Sequence, residues 1–302
     1  MSFESAAHPP GTRHAVVDLT VRLDAPVGTV WETLTTPDGL VRWFCTEASV
    51  SPGPGGRVAI GWSVGDSFEV PITAWEPGKH LRLDHPPFQM DFFLKGRNGR
   101  TALRLVNPTS AAFYRATRSG WNLSLANLRH YLGRHAGQPG ASREIPLPMP
   151  STAAEGWARL TGPGGLRIDG NCFAIAAGPG RFRGQVDLID PPWVFGGALP
   201  EWDDALLRIS LNYSGEPDRA HLVLRGYGDG AARLDELAAS LGPWLGRVLA
   251  PPRAGTAPGR PVMPTPVASN PRTGRAATRP TAEKDEPIEK AVARIAEPKK
   301  LT

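Results

Sequence analysis

Apolar and polar residues alternate over residues 17–23, and apolar residues at helical spacing follow. Four apolar residues share one face of a half-buried strand predicted there: Val17, Leu19, Val21 and Leu23. After Ala25-Pro26, apolar residues at positions 0, 3, 4 and 7 predict a short helix over 27–35, with proline near its first turn. The segment TPDGL at 36–40 is expected to end this helix.

The same order of elements returns in the second part of the chain. WETLTTPDGL at 31–40 aligns without a gap with WARLTGPGGL at 157–166. Alternation over 145–149 predicts the strand that precedes the second short helix, and Ser151 is the candidate N-cap of that helix. The sequence therefore predicts an internal repeat.

Each copy continues with short apolar strands and closes with a longer amphipathic helix. The strands are predicted around 58–60, 68–76, 81–83, 92–94 and 103–105, and then around 173–175, 182–190, 194–195, 207–211 and 222–224. The closing helices carry Trp121, Leu125, Leu128 and Leu132 in the first copy, and Leu234, Leu237, Leu241 and Leu245 in the second. About six antiparallel strands per copy, curved around one long helix, predict an α+β fold with a cavity between sheet and helix.

The net charge of +5 lies outside these two copies. Residues 1–250 are neutral, with 24 Lys+Arg against 24 Asp+Glu, whereas residues 251–302 hold 10 Lys+Arg and 5 Asp+Glu. This last stretch also contains 10 of the 32 prolines and no aromatic residue, so we predict a disordered, mildly basic tail. Residues 1–13 are predicted to be a flexible N-terminus. A neutral folded part argues against nucleic-acid binding, and the tail is left as a weak partner-binding segment.

Metal, redox and membrane roles find little support in the sequence. His130 and His135 lie about 140° apart on a helix, and His80 and His85 fall on opposite faces of a strand, so both pairs are interpreted as solvent-exposed rather than metal-binding. Cys45 and Cys172 occupy similar places in the two copies and are interpreted as small core residues. We predict no metal and no cofactor. No apolar run approaches the length of a membrane span, so no membrane insertion is expected, and the cytoplasm is the predicted location.

These residues resemble a known family. LTVRLDAPVGTVWETLTTPDGLVRWF, PGPGGRVAIGW, TALRLVNPT and a helix that opens with Gly120-Trp121 resemble the SRPBCC (START-like, helix-grip) superfamily, in particular its Aha-type branch. The resemblance implies two tandem helix-grip domains, each a curved antiparallel sheet around a long C-terminal helix, over 14–137 and 143–250. It also implies a deep apolar pocket, because members of the superfamily bind lipids, polyketides or other apolar ligands.

The second copy is expected to be degenerate. Leu40 to Val58 spans 18 positions but Leu166 to Phe173 only 7, so the second copy lacks counterparts of Trp43 and Phe44 and is predicted to lose one short helix and one strand. Its wall should therefore be shorter and its cavity smaller or collapsed. We expect the first copy to bind the ligand and the second to be structural.

The candidate ligand-binding residues follow from this interpretation: Trp43, Trp62, Trp75, Phe93, Trp121 and Leu125. Three polar residues are further candidates for the pocket, although a surface position is favoured for each: Asn122, Arg129 and His85. The favoured function is a non-catalytic protein that binds a small apolar molecule. Two alternatives stay open, namely an enzyme that resembles tandem polyketide aromatase/cyclases, and an interaction or regulatory protein that acts through its tail.

Overall fold

Two antiparallel sheets with the same strand order make up the fold. The computed structural model describes residues 14–62, 67–85, 88–149, 151–211 and 219–251; the predictions for 1–13 and for 252–302 fall outside the described residues. The first half (residues 14–137) contains β1 (His14–Leu23), α1 (Val27–Thr35), α2 (Pro37–Trp43), β2 (Glu47–Ser51), β3 (Arg57–Gly61), β4 (Ser67–Glu76), β5 (His80–His85), β6 (Phe88–Arg97), β7 (Arg100–Ser110) and α3 (Tyr114–Arg134).

The second half (residues 140–251) repeats this series with one helix fewer. It contains β8 (Gly140–Pro148), α4 (Ala153–Leu160), β9 (Arg167–Asp169), β10 (Cys172–Ala177), β11 (Gly180–Asp190), β12 (Val194–Leu199), β13 (Ala205–Leu211), β14 (Arg219–Tyr227) and α5 (Leu234–Leu249). The strand orders are β1-β7-β6-β5-β4-β3-β2 and β8-β14-β13-β12-β11-β10-β9. In both sheets the first strand of the half pairs with its last strand, and all neighbours are antiparallel. The α+β class is confirmed, and the two antiparallel sheets, each with one long helix, are consistent with a helix-grip fold.

Two local predictions need correction, and a third needs an addition. Helix α1 ends at Thr35 as predicted, but the segment TPDGL also begins α2, because the hydroxyl of Thr36 accepts a hydrogen bond from Gly39 N (3.1 Å) as the N-cap of that helix. The second half lacks a counterpart of α2, as expected, but it keeps the strand that was predicted to be lost, shortened to the three residues of β9. The N-cap of α4 is Thr152 rather than Ser151, since Thr152 and Glu155 form a reciprocal capping box.

Each sheet packs its concave face against its own long helix. Leu128 and Leu132 of α3 lie in the first core, and Leu237 and Leu241 of α5 lie in the second. Helix α5 is amphipathic, with exposed residues along its other side. Helix α3 differs, because every residue from Ser119 to Leu132 except Asn122 and Arg129 is buried. A helix that is buried all round needs a partner on both sides.

The second partner of α3 is the outer face of the second sheet. Arg208 of β13 is 1 % exposed and donates from Nε to Asn127 Oδ1 on α3 (2.7 Å). Its two terminal nitrogens bind Asp187 of β11 at 2.9 and 2.8 Å, so the buried charge is paired bidentately. Ser119 at the other end of α3 donates to Asp190 Oδ2 (2.6 Å). Both halves belong to one compact unit that ends at Pro251.

Two histidines at the end of α3 take part in this contact. Both were expected to be exposed and apart, but His130 and His135 are each 9 % exposed and their ring centroids lie 5.1 Å apart. The prediction was wrong because α3 ends at Arg134, so His135 leaves the helical path and its ring stacks on Tyr227 (4.6 Å). Of the other polar candidates, Asn122 is half-buried against Asp190, Arg129 is exposed, and the side chain of His85 lies outside the described part.

We predict that Gly184→Ala destabilises the second half by about 1–3 kcal/mol. Gly184 is the cross-strand partner of Phe173, whose ring covers it, and a Cβ there would overlap this ring and the backbone carbonyl of Ala198. Gly133→Ala is the control, because a Cβ at this exposed helical position meets nothing within 4 Å. We expect the control to stabilise slightly, by about 0.5 kcal/mol. Urea unfolding curves of both variants measure the difference, and equal stabilities would contradict this account.

His130 predicts a pH-dependent loss of stability. Burial, followed by the nearby charge of Arg208, lowers the pKa of His130 from 6.5 to about 4, with His135, Arg134 and Asp187 also facing it. Between these two values the unfolded chain binds a proton that the folded protein does not, so stability falls as the pH drops from about 6.5 towards 4. Glutamine at this position can still donate to the carbonyl of Asp204 but does not titrate. We therefore expect the free energy of unfolding of His130→Gln to fall less over this range than that of the wild type, by a difference of up to about 3 kcal/mol. Parallel denaturation curves from pH 7 to pH 4 test this; superimposable pH profiles would refute it.

Candidate functional site

A small cavity lies between the first sheet, helices α1 and α2, and helix α3. Its volume, taken as the space open to the centre of a water-sized sphere, is about 20 Å³, which is room for about one water molecule. Three elements contribute its walls: the sheet, the α1–α2 segment and the start of the buried stretch of α3. The lining residues are Leu34, Leu40, Trp43, Phe44, Val58, Ile60, Leu81, Leu83, Met90, Phe92 and Trp121.

Aromatic rings meet at the cavity, with Phe44 in the centre. The Phe44 ring lies parallel to Trp121 (centroids 5.5 Å apart, 7° between planes) and tilted against Trp43 (5.0 Å, 30°). On a third side, Trp62 approaches Phe44 edge-on at 5.7 Å. Phe92 in turn meets Trp121 edge-on at 5.9 Å. Offset and edge-on pairs at these separations are favourable, so the rings fill most of the space that the curved sheet encloses.

The indole N–H groups of Trp43 and Trp121 donate hydrogen bonds to groups outside the cavity, so the cavity wall is apolar. Trp121 Nε1 donates to Asn107 Oδ1 (2.9 Å), and Trp43 Nε1 donates to the carbonyl of Thr33 (3.3 Å). Asn107 is itself held, because its amide donates to the carbonyl of Gln89 (2.6 Å). These bonds fix the two rings in place. No lining residue in the described part of the chain carries an ionisable side chain.

Phe44 differs from the rest of the lining in its exposure. The other ten lining residues are buried, whereas Phe44 is half-buried and so borders both the cavity and the outside. It is the C-cap residue of α2, and its amide closes the last turn by donating to the carbonyl of Leu40 (2.8 Å). The position of Phe44 therefore depends on how firmly the C-terminal end of α2 is held.

The structure brings some of the predicted site residues together at this cavity and not others. Trp43 and Trp121 line it. Trp62 lies one ring further out, between Phe44 and Phe68. Leu125 is buried in the same core without lining the cavity.

Trp75 and Phe93 lie away from the cavity. After a register shift between Ile72 and Ala74, Trp75 pairs with Leu81 and its ring packs edge-on against Trp31 (5.1 Å). Phe93 faces the opposite side of the sheet from Phe92, and its ring stacks on His80 at 4.4 Å. A binding role for either residue stays a prediction.

Sequence reasoning left out most of the lining, above all Phe44 and Phe92. The strand pattern contained a signal for Phe92, because alternation over 92–94 places Phe92 and Leu94 on one face and Phe93 on the other. The signal for Phe44 was weaker, because the length difference between the two copies indicated an extra short helix in the first copy but did not show where that helix ends.

The two cysteines also differ from each other. Cys45, next to Phe44, is fully buried, as expected of a small core residue, and burial raises the pKa of its thiol to about 11. For Cys172 the expectation was wrong: this residue is exposed, because Phe173 and Ile175 of β10 point inward and their neighbours point outward. Within the described ranges, no three His, Cys, Asp or Glu side chains are grouped so that they could hold a metal ion. None of the described helices has the length and apolar character needed to span a bilayer.

Comparison with known proteins connects this half to a family. Residues 24–133 match the family model described as activator of Hsp90 ATPase homolog 1-like protein. This match agrees with the resemblance of the first half to the Aha-type branch. The match covers just over a third of the chain and includes the elements from α1 to α3 that surround the cavity.

Solved structures similar to the chain are distant from it. The Aha1 dimer from Colwellia psychrerythraea is 18 % identical over 39 % of this chain and 96 % of its own, with a TM-score of 0.36. Protein MLL2253 from Mesorhizobium loti is 21 % identical over 40 % of this chain and 98 % of its own, with a TM-score of 0.36. DynU16, a putative protein in the dynemicin biosynthetic locus, is 20 % identical over 76 % of this chain and 96 % of its own, also at 0.36. The comparison with curated proteins returned no match.

We predict that only one of the two cysteines reacts in the folded protein. Alkylation requires the thiolate, and a buried thiol with a pKa of about 11 stays protonated at pH 8. Native protein treated with iodoacetamide at pH 8 should therefore gain one label, on Cys172, and a second label only in denaturant. Intact-mass spectrometry counts the labels, and peptide mapping locates them. Rapid labelling of Cys45 in the native state would show that the α2 end opens readily.

Proposed function

We propose that the first half binds a small apolar ligand at the Phe44 cavity and catalyses no reaction on it. The match of residues 24–133 to an Aha-type family model supports this proposal, because members of the superfamily that the sequence resembles bind apolar ligands. The observation that carries the finer proposal is the lining itself, whose eleven side chains are all aliphatic, aromatic or methionine. Apolar walls of this kind are typical of sites that recognise ligands by shape and burial.

The absence of an acid or base from the lining favours binding over catalysis. Cyclase or hydrolase chemistry needs a proton donor or acceptor within hydrogen-bond reach of the reacting atoms. The indoles of Trp43 and Trp121 already donate to Thr33 and Asn107, so they offer no free donor to a substrate. We therefore place the aromatase/cyclase-like alternative second.

Ligand entry requires that a ring moves, because the cavity holds only about one water molecule. Phe44 is the ring that meets this requirement, since it is half-buried and lies parallel to the ring of Trp121. A flat aromatic ligand that takes the place of the Phe44 ring would inherit its contacts with Trp121 and Trp43. We call Phe44 the gate, and we propose small planar hydrocarbons as the ligand class.

The rest of the chain is given the following roles. We propose residues 14–137 and 143–250 as the two domains, with ligand binding confined to the first. A partner-binding role for residues 251–302 and a cytoplasmic location stay predictions.

The gate predicts the effect of a single substitution. Phe44→Ala removes the ring that a ligand must displace, so naphthalene should bind about tenfold more tightly than to the wild type. Binding is measured by quenching of tryptophan fluorescence and by the rise in melting temperature with ligand concentration. Phe113→Ala is the control, because Phe113 is 56 % exposed at the start of α3, away from the cavity.

The same protein should also be examined by native mass spectrometry for a molecule that co-purifies with it. A bound hydrocarbon-rich molecule that is lost on Trp121→Ala would support the proposal. Failure of both the wild type and Phe44→Ala to bind naphthalene saturably, with no co-purifying molecule, would overturn it.

A further inference from the structure

The C-terminal end of α2 is held from outside its own half. The last carbonyl groups of a helix have no partner within the helix and need donors from elsewhere. In α2 the carbonyl of Leu40 receives the amides of Phe44 and Cys45, which leaves the carbonyls of Val41, Arg42 and Trp43.

Each of these three carbonyls receives a side-chain donor that belongs to, or is held by, the second half. Arg225 Nη1 of β14 donates to the carbonyl of Val41, and Tyr227 Oη of the same strand donates to the carbonyl of Arg42 (2.9 Å). Asn127 Nδ2 of α3 donates to the carbonyl of Trp43 (3.2 Å).

Asn127 in turn depends on the second half for its orientation. Its Oδ1 accepts from Arg208 Nε (2.7 Å), and Arg208 is fixed by the bidentate pair with Asp187. With Oδ1 occupied in this way, the amide nitrogen of Asn127 is turned towards Trp43. Arg208 is thus connected to Trp43, a residue of the cavity wall, through the side chain of Asn127 alone.

The charge and burial of these groups suit a permanent cap. Positive charge near a helix C-terminus is favourable, and Arg225 supplies it at 3 % exposure. Tyr227 is 1 % exposed, and burial raises the pKa of its hydroxyl to about 12, so the hydroxyl stays a donor at ordinary pH.

We propose that the second half is a clamp on α2 and thereby holds the Phe44 gate closed. The clamp consists of Arg208, Arg225 and Tyr227 acting on α2 directly or through Asn127. These are positioning residues, because none of them lines the cavity. The role of the gate in ligand entry rests on the proposed function, whereas the clamp itself does not. The second half, which lacks a counterpart of α2, would then serve to complete the site of the first half.

Hydrogen exchange of the amides of Phe44 and Cys45 tests the clamp without any ligand, because both amides bond to the carbonyl of Leu40. Tyr227→Phe deletes one hydroxyl and keeps the ring, and we expect these amides to exchange about five- to tenfold faster. Asn127→Asp keeps an acceptor for Arg208, removes the donor to Trp43 and should have the same effect.

Tyr131→Phe is the matched control. Tyr131 is also buried, at 2 % exposure, and its ring lies 5.4 Å from Tyr227. Its hydroxyl accepts from Gly137 N, and the substitution keeps the ring, over which Arg42 of α2 lies at 5.7 Å. Exchange at Phe44 and Cys45 should stay at the wild-type rate in this variant. Melting temperatures establish that each variant is folded, and if one of the two test variants does not fold, the other decides.

The clamp is supported if the folded test variants speed exchange at α2 and Tyr131→Phe does not. Unchanged exchange in the test variants, or an equal increase in all three, would overturn it. Stopped-flow release of naphthalene is the second readout, and we expect about fivefold faster release from Tyr227→Phe. If naphthalene does not bind any variant while α2 exchange responds as expected, the proposed function fails and the clamp stands.

Discussion

The burial of helix α3 on both of its sides is the constraint that organises the molecule. One side packs into the concave face of the first sheet, as in any helix-grip domain, and the other packs on the outer face of the second sheet. A polar strand position on that outer face must then find a partner inside the protein. Arg208 does so through Asp187 and Asn127, and a buried charge left without such partners would cost several kcal/mol.

The same contact explains why strands of the second sheet are buried on both faces. In β13 all seven residues are buried, including Arg208 and Ser210, although alternation in the sequence indicates one polar face. In β1 of the first sheet the expected alternation survives, because exposed and buried or half-buried residues follow one another along much of the strand. The two sheets share one strand order but differ in whether a helix covers the outside.

The cavity shows how the two halves divide their roles. Sheet, α1, α2 and α3 of the first half supply every lining residue, and the rings of Trp43, Phe44 and Trp121 reduce the space to about 20 Å³. The second half supplies donors to the carbonyls that end α2. The cavity wall is therefore apolar, while the backbone carbonyl groups behind it still receive hydrogen bonds from polar side chains.

Most of the elements were determined by local sequence, whereas the lining of the cavity and the contacts between the halves were decided by tertiary packing. Alternation and helical spacing placed β1, α1, α5 and the repeated strand series correctly, because each pattern reflects one buried face of a single element. They did not place α2, although the length difference between the copies indicated an extra short helix. They missed the contact between His130 and His135 and the positions of Phe44 and Phe92 relative to Phe93 at the cavity. The polar contacts of Arg208, Arg225 and Tyr227 join residues far apart in the chain, up to 185 positions for Tyr227 and Arg42. Periodicity reports only that a face is buried, and only the tertiary structure decides which distant group buries it.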